Sequence, residues 1–288
     1  MTFRIHTHGR LQEWIADANG YFADAGLTDY ALSQVAVDTF DASTQEAPSG
    51  AYQTYEQGRD ASVSCACHWT VNIAASNAHG QLWGNAYSVS PCGIFVPAAS
   101  PIRSLKDLAG VTVDVGYQSG SHYATIQALE TVLAPDAIKL NFAGSPDKRL
   151  ARLDRGEAAA STLFGIQSYI AEQLGFRKIA DATFMIVAIV PKGVAAEDVE
   201  KYYAALRRAQ HDIDLHHQRY AHFYLNEVRP EYHDRISVDA FGPGERIVFE
   251  PYSPEMFAKT HQWVEERAIF DEAKIGIADY AEAALTPA

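Results

Sequence analysis

Residues 9–27 read GRLQEWIADANGYFADAGL, and residues 104–130 read SLKDLAGVTVDVGYQSGSHYATIQALE. In the first stretch Leu11, Trp14, Ile15, Ala18 and Phe22 recur at helical spacing, and Gly26 supplies a stop. The residues before it, Phe3–His8, alternate as Phe3, Ile5 and Thr7 and predict a short strand. The second stretch has a Leu-Lys-Asp-Leu-Ala-Gly lead-in, an apolar strand over Val111–Val115, a Gly/Ser loop, and a helix over His122–Leu133. Each stretch is thus a strand that runs through a turn into an amphipathic helix, the repeating unit of α/β proteins.

The same alternation continues outward. Strands are expected at Tyr30–Val37, Ala61–Cys65, Ile138–Phe142, Ala158–Thr162 and Phe184–Val190. Phe40–Gly50 reads as a loop, and Ala51–Gly58 as a short helix. Helices are expected at Trp69–Ala78, Arg149–Arg155 and Ile166–Leu174, with a long one at Val199–Tyr224. Further helices are expected at Pro254–Arg267 and Ile277–Leu285. Asn85–Val96 reads as a strand pair or crossover, ended by the turn Pro97–Pro101. The expected architecture is two parallel α/β lobes joined by crossing strands near residues 94–100 and 186–192. Residues 1–97 with 190–288 form lobe one, and residues 98–189 form lobe two.

Together the segments 9–27 and 104–130 resemble the two-lobed solute-binding proteins of the type II periplasmic-binding fold, of the taurine, nitrate and alkanesulfonate type. The likeness runs from about Phe3 to Tyr224. It implies a ligand cleft between the lobes and C-terminal helices packed on lobe one.

Composition narrows the partners. The formal net charge is −13 and no basic cluster occurs, which argues against nucleic acid or an anionic membrane. No apolar run reaches the roughly 18–20 residues of a membrane span. Phe3–His8 follows Met1 without a basic region, an apolar run and a small-residue cleavage site, so a cytoplasmic location is expected. Cys65, Cys67 and Cys92 are odd in number and form no disulfide framework.

In α/β sheets, ligands lie beyond the carboxyl ends of strands. That rule selects four turns. The first is His6-Thr7-His8-Gly9-Arg10, where His6 and His8 share a strand face and Arg10 is a candidate for an acidic ligand group. The second is Ser64-Cys65-Ala66-Cys67-His68-Trp69. A cysteine at a helix start tends toward thiolate, so Cys67 is a candidate nucleophile, His68 a candidate acid/base and Trp69 a candidate wall. The third is Gly116-Tyr117-Gln118-Ser119-Gly120-Ser121-His122, whose glycines, hydroxyls and helix-start amides suit an oxyanion. The fourth is Thr162-Leu163-Phe164-Gly165, offering a donor in Thr162 and a stacking ring in Phe164; Gly144-Ser145 is a lesser fifth. Each also reads as ordinary structure: a core thiol, a cap, a strand end.

No Gly-x-Ser-x-Gly, HExxH or CxxC pattern occurs. His6, His8, His68 and His122 all fall at turn positions, as metal ligands or as hydrogen-bonding groups. The reading taken is no metal and no cofactor. His211, His216, His217 and His222 do not share one helix face.

The same superfamily includes enzymes. Its thiamine pyrimidine synthases place a histidine where His68 falls, but their lysine position is Ser64 here, and no cysteine follows Cys92 to build their iron segment. Its sulfinate desulfinase uses a cysteine at the end of strand one, where this chain has His6-Thr7-His8. Two functions are therefore carried forward. One is a binding protein that closes over a small organic anion or heteroaromatic ligand, using His6, Arg10, Trp69, Tyr117, Ser119, Gly120, Ser121, His122, Thr162 and Phe164. The other is a small-molecule lyase or hydrolase in which His68 or His8 serves as acid/base and Cys67 as nucleophile.

Overall fold

The computed structural model describes residues 2–34, 50–56, 60–277 and 279–287. Strand β1 (Phe3–Thr7) leads into α1 (Leu11–Ala18) and α2 (Tyr21–Asp24), and β2 (Tyr30–Gln34) returns parallel to β1. Gly20 separates the two helices at φ 71°, and Gly26 ends the second at φ 85°, conformations costly for any residue with a Cβ. The expected strand residues 35–37 and most of the loop 40–50 lie outside the described residues.

The chain continues through α3 (Gln53–Glu56), β3 (Ser64–Cys67), α4 (His68–Ser76), β4 (Gln81–Trp83) and β5 (Tyr87–Ser90). It then passes into a second sheet with β6 (Cys92–Val96), β7 (Thr112–Val115), α5 (Gly120–Leu129), β8 (Lys139–Phe142), α6 (Pro146–Asp154), β9 (Ala160–Phe164), α7 (Ile166–Gln173) and β10 (Arg177–Asp181). It returns with β11 (Phe184–Val190), α8 (Ala196–His216), β12 (Arg246–Val248), α9 (Pro254–Glu266), α10 (Tyr280–Ala283) and β13 (Ala284–Leu285).

The first-lobe sheet has the order β12-β5-β11-β4-β13, with β3 also paired to β11; the second-lobe sheet has the order β10-β6-β9-β7-β8. Neither is purely parallel, contrary to the sequence reading. Strand β6 runs against β9 and β10, and β11 runs against β3, β4 and β5. The reason is topological. Strands β6 and β11 follow the two changes of sheet, at residues 90–92 and 181–184. A strand that enters a sheet from the edge where the other strands end must run opposite to them. Both sheets therefore turn their carboxyl ends toward the crossing, and the turns after β1, β3, β7, β8 and β9 gather there.

The second-lobe sheet is covered on both faces. Ile94, Val96, Val113 and Val115 pack with Leu108 and Leu129, while Phe95 and Leu163 join Leu150, Leu153 and Ile170 in the main core. In the first lobe α1 buries Leu11, Trp14 and Ile15 and packs on α8.

Several boundaries moved. Helix α6 starts at Pro146, not at 149, because Ser145 caps it by accepting from the Lys148 amide (3.4 Å) and proline suits a first helical position. Helix α8 ends at His216, and 217–226 continue as tight turns. Residues 284–285, expected to be helical, instead pair as β13 beside β4, a contact distant in sequence.

Candidate functional site

A cavity of about 650 Å³ lies among the strand ends of both sheets. From the first lobe it takes Thr7, His8 and Gly9 after β1, Cys65 to Cys67 of β3, and Ser90 at the end of β5. From the second it takes Ser119 and Gly120 after β7, Pro146 and Asp147 after β8, and Phe164 to Gln167 after β9. Phe184 and Ile186 of β11 add an apolar wall, and Tyr224, Glu227, Gly244 and Glu245 close one side. The two central turns touch directly, since the Thr70 hydroxyl donates to the Gln118 carbonyl (3.0 Å). A second hollow, of about 710 Å³, lies at the opposite ends of β7 and β9 and is lined by Pro101, Ile102 and Glu157 among others.

The turn at 116–121 is tightly built. Ser119 caps its own loop, donating to the Gly116 carbonyl (2.8 Å), and Ser121 Oγ accepts from the Gly116 amide (2.9 Å). Of the two hydroxyls only Ser119 reaches the cavity; Ser121 is fully buried beneath it. Gly120 opens α5 against Phe184, and a Cβ there would overlap the Phe184 ring. The start of α5 at Ser119 and Gly120 therefore lines the cavity next to an aromatic ring, and the amide end of a helix favours negative charge.

Behind this turn lies Arg149, which the sequence reading passed over as a helix residue. It is 1% exposed, and no ion pair is found for it among the described residues. Its Nε donates to the Thr162 carbonyl (3.1 Å) and its Nη1 to the Gly144 carbonyl (2.6 Å), while Nη2 has no hydrogen-bond partner among the described residues. Nη1 and Ser119 Oγ lie 2.9 and 2.8 Å from the point where Gly116 would carry a Cβ. Its Cζ stands 5.6 Å from the centre of the Phe164 ring. Burial pulls its pKa down to about 10, so it stays charged near neutral pH. The sequence clue was an arginine on the same helix face as Leu153, flanked by Leu150.

Arg10 is not a ligand group. Nε reaches Glu13 (2.8 Å), Nη1 reaches Ser88 (3.2 Å) and Glu245 (2.6 Å), and Nη2 reaches Tyr202 (3.2 Å) and Cys65 Sγ (3.6 Å). All five donors of the guanidinium are committed inside the first lobe. The second oxygen of Glu245 meets His8 Nδ1 at 2.9 Å, and Ser88 also donates to Glu245. Burial alone would push the Glu245 carboxyl up. The charges of His8 and Arg10, with the hydrogen bonds, outweigh it and hold the carboxyl at about 2. An ionised carboxylate only accepts, so His8 Nδ1 carries the proton and Nε2 is left as the second ring nitrogen. Glu245 lies 235 residues beyond Arg10, and no local motif marks it.

The thiol–imidazole turn is buried rather than open to the cavity along its length. Cys67 caps α4, but burial pushes its thiol up to about 11, against the helix effect, and its Sγ pairs with the Thr70 hydroxyl at 3.2 Å. Burial drives His68 down to about 4, and its Nδ1 faces the Met185 carbonyl at 3.0 Å. Trp69 belongs to the core, stacked with Tyr123 at 5.3 Å and near Trp263 at 5.7 Å, and does not line the cavity. His122 is buried between Tyr117 and Tyr123; its Nδ1 accepts from the Gln118 amide (3.2 Å), and burial lowers it to about 4. Thr162 is buried, its hydroxyl 2.5 Å from that of Thr125. His6, half-buried on β1, and Tyr117, half-buried in the turn after β7, both lie outside the cavity wall. Thus His8, Cys67, Ser119, Gly120 and Phe164 reach the cavity, and His6, Arg10, His68, Trp69, Tyr117, Ser121, His122 and Thr162 do not. His68 and His122 each turn a nitrogen to a backbone group, and no group of three or more metal-binding side chains converges among the described residues.

No family model and no curated protein matches the chain. Solved structures do. The alkanesulfonate-binding protein SsuA from Xanthomonas axonopodis pv. citri, bound to MOPS, superposes with a TM-score of 0.71 at 14% identity, over 99% of this chain and 98% of that one. The periplasmic aliphatic sulphonate-binding protein SsuA from Escherichia coli gives 0.68 at 15% identity, over 95% of each chain. The desulfurization enzyme DSZB gives 0.63 at 15% identity, over 99% of this chain and 96% of that one. The chain has the two-lobed periplasmic-binding-protein fold, which houses both solute-binding proteins and an enzyme. No helix among the described residues is long and apolar enough to cross a membrane.

Proposed function

We propose that this protein binds a small organic anion in the cavity between its sheets. The carrying observation is that the first turn of α5 opens into that cavity at Ser119 and Gly120, with the unpaired Arg149 charge buried behind it. The ligand's acidic head sits at the α5 amides, and its body lies against Phe164, Phe184 and Ile186. The structural likeness to sulfonate-binding proteins supports a sulfonate head as the first candidate. Native mass spectrometry of the purified protein, followed by calorimetry with alkanesulfonates and matched carboxylates, tests the reading. Saturable binding that Gly120→Val abolishes supports it; no saturable binding of either series refutes it.

The enzyme alternative keeps one foothold, the His8–Glu245 pair, which has the form of an oriented proton acceptor beside the cavity. Catalysis through Cys67 and His68 is disfavoured by the protonated thiol and the committed imidazole. Recovery of bound ligand unchanged after prolonged incubation supports binding alone.

A further inference from the structure

The first-lobe side of the cavity carries a polar group that the core does not satisfy. Tyr224 is 1% exposed and is one of the residues lining the cavity; its hydroxyl, shielded from solvent, has no hydrogen-bond partner among the described residues. It sits against Gly244, also on the cavity wall, and a Cβ there would overlap the hydroxyl. Gly244 itself is fixed, at φ 72°, by its amide donating to the Tyr169 hydroxyl (3.0 Å). Trp14 and Phe241 pack edge-on against the Tyr224 ring at 6.2 and 5.5 Å and hold its orientation. A buried phenol hydroxyl normally finds a partner. On the same cavity, His8 has its Nδ1 proton committed to Glu245, and in the neutral ring Nε2 is then an acceptor.

We infer that Tyr224 and His8 form a subsite for a hydroxyl, or an equivalent donor–acceptor group, at the end of the ligand remote from its anionic head. The two groups are complementary to such a group in both senses: Tyr224 Oη–H donates to its oxygen, and His8 Nε2 accepts its proton. A plain alkyl tail would leave both unpaired when the cavity closes over it, so the preferred class is a hydroxyl-bearing organic anion rather than a simple alkyl one. Phe164, Phe184 and Ile186 supply the apolar wall of the same cavity. This inference rests on the anion-binding reading above and sharpens it.

The test compares, by calorimetry on the full chain, straight alkanesulfonates of two to six carbons with their ω-hydroxy counterparts. At the length that spans the cavity, the hydroxyl should tighten binding tenfold or more. In Tyr224→Phe the hydroxy-to-parent ratio should fall below about twofold. That variant removes only an unpartnered atom, and a thermal melt confirms its fold. Equal affinity of the two series at every length in the natural protein overturns the inference without any variant. So does a hydroxyl preference that survives in Tyr224→Phe. If neither series binds saturably, the anion reading itself falls, and this inference with it.

Discussion

Two neutral histidines buried near the cavity make acid stability the most direct test of the site's internal wiring. Burial lowers both His68 and His122 from 6.5 to about 4. The sign follows from proton counting. Between pH 6.5 and 4 the unfolded chain holds a proton on each ring and the folded chain does not. Stability is therefore fully present above pH 6.5 and is lost as pH falls toward 4, where the loss levels off. At about 1.4 kcal/mol for each tenfold change, the fall from 6.5 to 4 costs about 3 kcal/mol per ring, about 6 kcal/mol together. A whole domain has only about 5–15 kcal/mol to lose. Urea unfolding at pH 7, 6, 5 and 4, with circular dichroism as readout, should show that decline. His122→Asn keeps an acceptor for the Gln118 amide without a titrating ring, and should lose about 3 kcal/mol less over the same range. Identical declines in the variant and the natural protein would refute the reasoning. So would a His122 ring that titrates near 6.5 in the folded protein by nuclear magnetic resonance. The Glu245 carboxyl acts in a lower window: held at about 2, it contributes stability above its ordinary 4.5 that disappears as pH falls toward 2.

Arg10→Met should destabilise by about 3–5 kcal/mol in equilibrium unfolding, because it strands Glu13 and Glu245 as buried charges; a loss under 1 kcal/mol would show that the network is not what holds α1 to the sheet. Cys67, with its thiol at about 11 against an ordinary 9.0, should react with iodoacetamide at pH 8 about a hundredfold more slowly than the same cysteine in the unfolded chain. Mass mapping of the alkylated residue measures this, and fast native labelling would restore Cys67 as a nucleophile. Gly120→Ala should push the Phe184 ring out of place, cost about 1–3 kcal/mol in thermal or urea unfolding, and weaken anion binding; unchanged binding would move the anionic head elsewhere.

Much of the fold was readable because it is written in local periodicity. The α1 face of Leu11, Trp14 and Ile15, the apolar run of β11 and the Gly/Ser turn at 116–121 each follow from neighbours in the chain. The direction of β6 and β11 was not readable, since it depends on which edge of a sheet the chain enters. The site divided in the same way. His8, Cys67, Ser119, Gly120 and Phe164 were reachable by the rule that ligands gather at strand carboxyl ends. That rule says which turn faces the cleft but not which side chain in it does, so Ser121, Trp69, His122 and Thr162 were grouped with residues that reach the cavity.

Sequence alone indicated an α/β fold of the periplasmic-binding type and the strand-to-helix turns that meet at its strand ends. Packing decided the chemistry. Burial set the protonation of Cys67, His68 and His122, and Arg10 was drawn inward by Glu245, a partner 235 residues away. Arg149 and Tyr224 became candidates only through the partners they lack. Periodicity depends on residues a few positions apart, whereas charge, solvation and hydrogen-bond satisfaction depend on atoms brought together from the whole chain.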